Sequence, residues 1–84
     1  MNVKFKEKLA ARELAGELYV VDIEEQTLHS LNPAGTFIWN CLKRGVAREK
    51  IASRLAEEFE VPEREAAADT AAFLSTLEAK GLIT

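Results

Sequence analysis

The junction Leu31-Asn32-Pro33-Ala34-Gly35 constrains this chain more than any other stretch, because strand-like sequence ends there and helical sequence begins. Asn32 is suited to accept hydrogen bonds from the unpaired N–H groups of a first helical turn. Pro33 at the first helical position has a compatible φ and no N–H to leave unsatisfied. Gly35, one turn in, normally weakens a helix by about 1 kcal/mol relative to alanine, so its presence predicts another backbone passing close by. Before the junction, Thr27 to Leu31 has strand composition. If its outer edge is open, it offers a row of N–H and C=O groups to another chain.

Towards the N-terminus, Val3, Phe5 and Leu9 alternate with Lys4, Lys6 and Lys8. A period of two predicts a short edge strand with its lysines in water. Ala10 to Ala15 gives no clearer signal than a loose turn ended by Gly16. Glu17 to Ile23 reads as a strand, with Tyr19, Val21 and Ile23 on one face and Leu18 and Val20 on the other. Glu24-Glu25-Gln26 then joins it to Thr27–Leu31 as an antiparallel hairpin. Apolar residues on both faces predict helices over one side and partial cover on the other. His29 has no cysteine or second histidine near it, so it reads as a strand side chain able to touch a docked peptide, not as a metal ligand.

Three helices follow. The first spans Pro33 to about Lys43, with Ala34, Ile38, Cys41 and Leu42 on one face and Phe37 and Trp39 flanking it. Trp39 reads as core, with an interface anchor as the alternative, and Cys41 as a buried, inert thiol with no base beside it. Gly45 stops this helix. The second, about Ala47 to Glu60, carries Ile51, Leu55 and Phe59 at steps of four, and Val61-Pro62 breaks it. The third begins at Glu63-Arg64-Glu65, turns Ala66, Thr70, Phe73 and Leu77 inward, and stops at Lys80-Gly81, after which Leu82-Ile83 folds back on the last turn. The expected fold is α+β and winged helix-turn-helix-like: a small N-terminal antiparallel β-sheet of about three strands followed by three α-helices.

Charge bears on what such a fold can bind. In a helix-turn-helix module the later helix enters the major groove with Arg, Lys, Asn or Gln facing outward. Here the third helix sets Glu63, Glu65, Asp69 and Glu78 against Arg64 and Lys80, and the whole chain has a net charge of −3. Nucleic acid is therefore not expected as a partner. Eighty-four residues suit one domain over residues 1–84, and a chain of that size buries only about 60–65% of its unfolded surface. That leaves little room for an enclosed active site. No glycine-rich phosphate loop, metal-ligand cluster or nucleophile–base set occurs, so no catalysis, metal or cofactor is expected. The single Cys41 permits no intramolecular disulfide, and no apolar run approaches the ~18 residues of a membrane span. With no signal-peptide core after Met1, a cytoplasmic protein without membrane contact is expected.

The string Leu31-Asn32-Pro33-Ala34-Gly35, then Phe37-Ile38-Trp39, Gly45, Ile51, Leu55, Phe59, Asp69, Phe73-Leu74, Leu77 and Lys80-Gly81-Leu82-Ile83, resembles the PqqD-like family. These are the peptide chaperones of pyrroloquinoline quinone biosynthesis and, more broadly, recognition elements for ribosomally made, post-translationally modified peptides. The resemblance covers about Leu18 to Ile83. One departure is Val46-Ala47, where many relatives carry a serine or threonine cap.

The resemblance implies a non-catalytic binder. A precursor's leader segment would add as a strand to Thr27, Leu28, His29, Ser30 and Leu31, in a groove walled by the third helix, and a maturation enzyme, commonly a radical S-adenosylmethionine enzyme, would act on the rest. The wall would be one of two flanks: Asp69, Phe73, Thr76 and Lys80, or Ala67, Ala71, Leu74 and Glu78. Spacing does not choose between them; the first, with Asp69, Phe73 and Thr76, is the expectation carried forward. Two other readings stay open: a winged-helix DNA-binding regulator, and a small adaptor that forms a homodimer through its strand edge.

Overall fold

The structure is a computed structural model and describes residues 3–84. Three strands, β1 (Leu9–Leu14), β2 (Glu17–Asp22) and β3 (Thr27–Leu31), precede three helices, α1 (Pro33–Lys43), α2 (Arg48–Phe59) and α3 (Glu63–Ala79). The sheet is antiparallel with order β1-β2-β3. This is the α+β architecture expected from the sequence, with one strand in a different place.

The expected strand over Val3–Leu9 is replaced by two features. Phe5 forms an isolated antiparallel bridge with Ile83, flanked by Lys4 N–H to Thr84 C=O at 3.1 Å and Lys6 N–H to Leu82 C=O at 2.9 Å. The regular strand is instead Leu9–Leu14, which takes up most of the Ala10 to Ala15 stretch that reads from composition as a loose turn. Its Leu-Ala-Ala-Arg-Glu-Leu sequence is made of good helix formers. The ladder to β2 overrides that preference, closed by a two-residue turn in which Ala15 (φ 52°) and Gly16 (φ 81°) are both left-handed. Positive φ at both turn residues matches the right-handed strand twist.

Lys6 also departs from the solvated-edge expectation. Its Nζ lies 2.8 Å from Asp22 Oδ2 and 3.7 Å from Glu24 Oε1. Asp22 is 2% exposed, so its charge depends on this partner and on the Glu25 N–H, which donates to Oδ1 at 3.1 Å. The hydrogen bond from Lys6 holds the Asp22 carboxyl below the usual aspartate range, and the same bond raises the Lys6 ammonium above its ordinary value.

Leu18 and Val20 of β2 and Leu31 of β3 face the helices and join Ile38, Trp39, Ile51, Leu55, Leu74 and Leu77 in one core. The opposite sheet face is barer than expected, since Val21 and its cross-strand partner Leu28 are both exposed there. Trp39 and Cys41 are buried, and Phe5 meets Trp39 edge-on at 4.8 Å, with Lys43 Nζ 4.1 Å from the Phe5 ring centre. On α3 the inward stripe is Ala66, Thr70, Leu74 and Leu77, so Leu74 takes the place expected of Phe73, which is half-buried. α2 starts without a side-chain cap at Ala47, as the missing serine or threonine predicts.

Candidate functional site

Among the described residues β3 pairs with β2 on one side only, in the register Leu18↔Leu31, Val20↔His29 and Asp22↔Thr27. Which of its backbone groups face outward follows from parity. Ile23 N–H donates to Lys8 C=O at 3.0 Å, on the β1 side, and successive residues of a strand point their amides to opposite edges. Tyr19 and Val21 therefore also turn towards β1, while Leu18, Val20 and Asp22 turn towards β3. Their partners Leu31, His29 and Thr27 use their amides on β2. The N–H and C=O groups of Leu28 and Ser30 are left pointing out of the sheet.

The end of this strand is tied to α1 by two caps. Asn32 Oδ1 accepts from Gly35 N–H at 2.8 Å. The Thr36 hydroxyl, 4% exposed, accepts from Leu18 N–H at 2.9 Å and donates to Leu31 C=O at 3.2 Å. One buried hydroxyl thus joins the first turn of α1 to both strands of the hairpin.

Immediately after β3, a cavity of about 360 Å³ opens between α1 and α3, lined by Asn32, Ala34, Gly35, Ile38, Asp69, Ala72, Phe73 and Thr76. The structure brings Asp69, Phe73 and Thr76 together here, beside the residues that follow Leu31. The alternative flank turns the other way: Ala67, Ala71, Leu74 and Glu78 line a separate hollow of about 370 Å³ against α2. Asp69 is exposed with no cation within 4 Å among the described residues, and the Thr76 hydroxyl donates to Ala72 C=O at 3.0 Å. Within β3, Leu28 is 65% exposed, and half-buried His29 places Nε2 3.3 Å from Thr27 Oγ1.

The sequence singles out neither Ala34 nor Ile38 as a cavity wall, whereas Ala72 is one of the small α3 residues (Ala67, Ala68, Ala71, Ala72) whose size could leave room for a pocket. Gly35 did carry a signal, read as the approach of a backbone. The close neighbour is a side chain: a Cβ on Gly35 would lie 2.8 Å from Cε1 of Phe73. Among the described residues no group of three or more His, Cys, Asp or Glu could hold a metal ion, and no helix is long and apolar enough to cross a membrane.

Together these features define a winged-helix-like α+β domain whose last strand has no partner on its outer edge among the described residues and leads into a cavity walled by the last helix. The chain belongs to the PqqD family, matching the family described as Coenzyme PQQ synthesis protein D over residues 17–83. Solved structures share its fold. One, described as TbiB1 in complex with the TbiA(beta) leader peptide, is 24% identical with a TM-score of 0.86 and covers 95% of this chain and 93% of its own. Another, described as lasso peptide synthetase B1 complexed with the leader peptide, is 20% identical with a TM-score of 0.90, covering 100% and 99%. No curated protein matches the chain.

Proposed function

We propose that this protein is a non-catalytic carrier that binds the leader segment of a ribosomally made precursor peptide by strand addition to β3. It then presents the bound precursor to a separate maturation enzyme, of the radical S-adenosylmethionine type, in the cytoplasm. The observation that carries this reading is the outward row of Leu28 and Ser30 amides on a strand that leads, at Asn32, into the α1–α3 cavity. An added strand sits about 4.8 Å from its neighbour. No Cα of β3 comes within 8 Å of a Cα of α3, so α3 does not crowd the strand. Both similar structures are described as leader-peptide complexes.

The energetics assign separate tasks to edge and cavity. Four backbone hydrogen bonds contribute a net ~1 kcal/mol each, against an association cost of about 4–15 kcal/mol. Backbone pairing fixes register but does not hold the peptide. Two or three leader side chains, each contributing about 1.5–3 kcal/mol on burial, must supply the remainder. The cavity offers Ile38, Ala34 and Phe73 as apolar walls. On this reading Asp69 and Thr76 at its rim select among leader sequences.

Fluorescence anisotropy with labelled leader peptides encoded beside this gene tests the proposal. Saturable binding by at least one leader is expected. No saturable binding by any of them would overturn it.

A further inference from the structure

At the far end of α1 from the cavity, the turn into α2 forms an open hollow of about 590 Å³ lined by Arg44, Gly45, Val46, Ala47, Lys50 and Arg54, with no carboxylate in its wall. Between Lys43 and Arg54 the sequence concentrates five of its eleven cations against one carboxylate, Glu49, in a chain whose net charge is −3. Lys43 is directed away, over the Phe5 ring. Arg44, Lys50 and Arg54 are exposed and have no carboxylate within 4 Å among the described residues. A neighbouring hollow shares Arg44 and Arg54 and is also lined by Phe37, Glu57 and Glu58, so the carboxylates begin where the cationic wall ends. Phe37 meets Phe59 edge-on at 5.9 Å, and Phe59 is 37% exposed.

We infer that this corner is a second docking surface, for an acidic segment of a partner protein that carries an aromatic or large aliphatic residue. Arginine and aromatic side chains, phenylalanine included, are enriched at protein interfaces relative to the rest of the surface. Unpaired cations on an otherwise acidic molecule orient an acidic partner towards this end and away from the rest. The choice of a protein over nucleic acid rests on the extent of the patch. Three cations bordered by Glu57 and Glu58 suit a short acidic segment, whereas a duplex extends past them onto repelling carboxylates. Gly35 and Arg44 are roughly 13 Å apart along α1 at 1.5 Å per residue. A partner at Arg44 thus leaves the α1–α3 cavity free, and the surface stands whether or not a leader binds β3.

The test is selection of a displayed library of random 12-residue peptides on the wild-type chain, with counter-selection on Arg44→Glu/Arg54→Glu. Peptides that use the β3 edge bind both proteins and are removed, so failure here is separate from failure of leader binding. The expected survivors hold two or more Asp or Glu around an aromatic or aliphatic residue. They bind the double variant at least tenfold more weakly, and Arg12→Glu on the sheet within about twofold of wild type. Survivors without acidic bias, no survivors, or an equal loss in Arg12→Glu would overturn the inference. So would tighter retention of a 20-base-pair DNA duplex at the same residues. Circular dichroism confirms that the charge reversals leave the fold intact.

Discussion

The Phe73 ring lies against the α carbon of Gly35, so closely that a methyl group there would come within 2.8 Å of Cε1. This contact joins the first turn of α1 to the middle of α3 and sets the width of the cavity beside β3. Replacing Gly35 by alanine gains about 1 kcal/mol of helix propensity and meets an overpacking cost of about 1–3 kcal/mol. Because Phe73 is only half-buried, its ring has room to swing into the cavity. Gly35→Ala is expected to change stability by no more than about 1 kcal/mol while weakening leader binding about tenfold, and Gly35→Ala/Phe73→Leu to recover most of the affinity. Urea midpoints and leader titrations check the pair; unchanged affinity in Gly35→Ala would place the cavity outside the binding site.

Thr36→Val keeps the branched shape and removes the hydroxyl that serves Leu18 N–H and Leu31 C=O. Each buried backbone group left without a partner costs about 1–3 kcal/mol. For two such groups a loss of roughly 2–6 kcal/mol is expected, read from the urea midpoint at constant m-value. Stability within 0.5 kcal/mol of wild type would mean that the two strand groups bond each other directly.

The Lys6–Asp22 pair makes stability depend on pH at both ends. Asp22 titrates below its ordinary 3.8 in the folded chain, so its contribution is complete above that value and is lost as pH falls through the folded pKa. Lys6 titrates above its ordinary 10.5, so its contribution is complete below that value and is lost as pH rises through the folded pKa. Asp22→Asn should flatten the acid limb of a stability–pH curve and Lys6→Met the alkaline limb. An acid limb unchanged in Asp22→Asn would assign it to other carboxylates.

Proline substitutions separate the two edges of β3. Proline is tolerated where a strand's N–H faces outward and not where it serves the ladder. Leu28→Pro is expected to retain the fold and lose at least tenfold in leader affinity, while His29→Pro, which removes a donor to β2, is expected to unfold the hairpin. Far-ultraviolet circular dichroism and titration decide this, and the reverse pattern would invert the assignment of inner and outer amides.

The helices were legible in the sequence to within a residue because their punctuation is local: Asn32-Pro33 starts α1, and Gly45, Val61-Pro62 and Gly81 follow the three helical runs. β1 was hidden, since Leu9–Leu14 is helix-forming on its own and becomes a strand only by pairing with β2. The exchange of Phe73 for Leu74 has a similar origin. Adjacent residues on a helix both fit a broad stripe, and only the docking angle against α1 and α2 chooses between them. Among the candidate site residues, the exposed edge of Thr27–Leu31 could be read from the hairpin pattern. The side of α3 facing the residues after β3 could not, because it depends on how three helices stack, and the Lys6–Asp22 bond spans 16 residues with no local signal.

The most direct measurement is amide hydrogen exchange on β3 with and without bound leader peptide. Leu28 and Ser30 should exchange fast in the free protein and slow by at least tenfold in the complex, while Thr27, His29 and Leu31, already bonded to β2, change little. Binding that leaves Leu28 and Ser30 exchanging at their free rates would contradict strand addition at this edge.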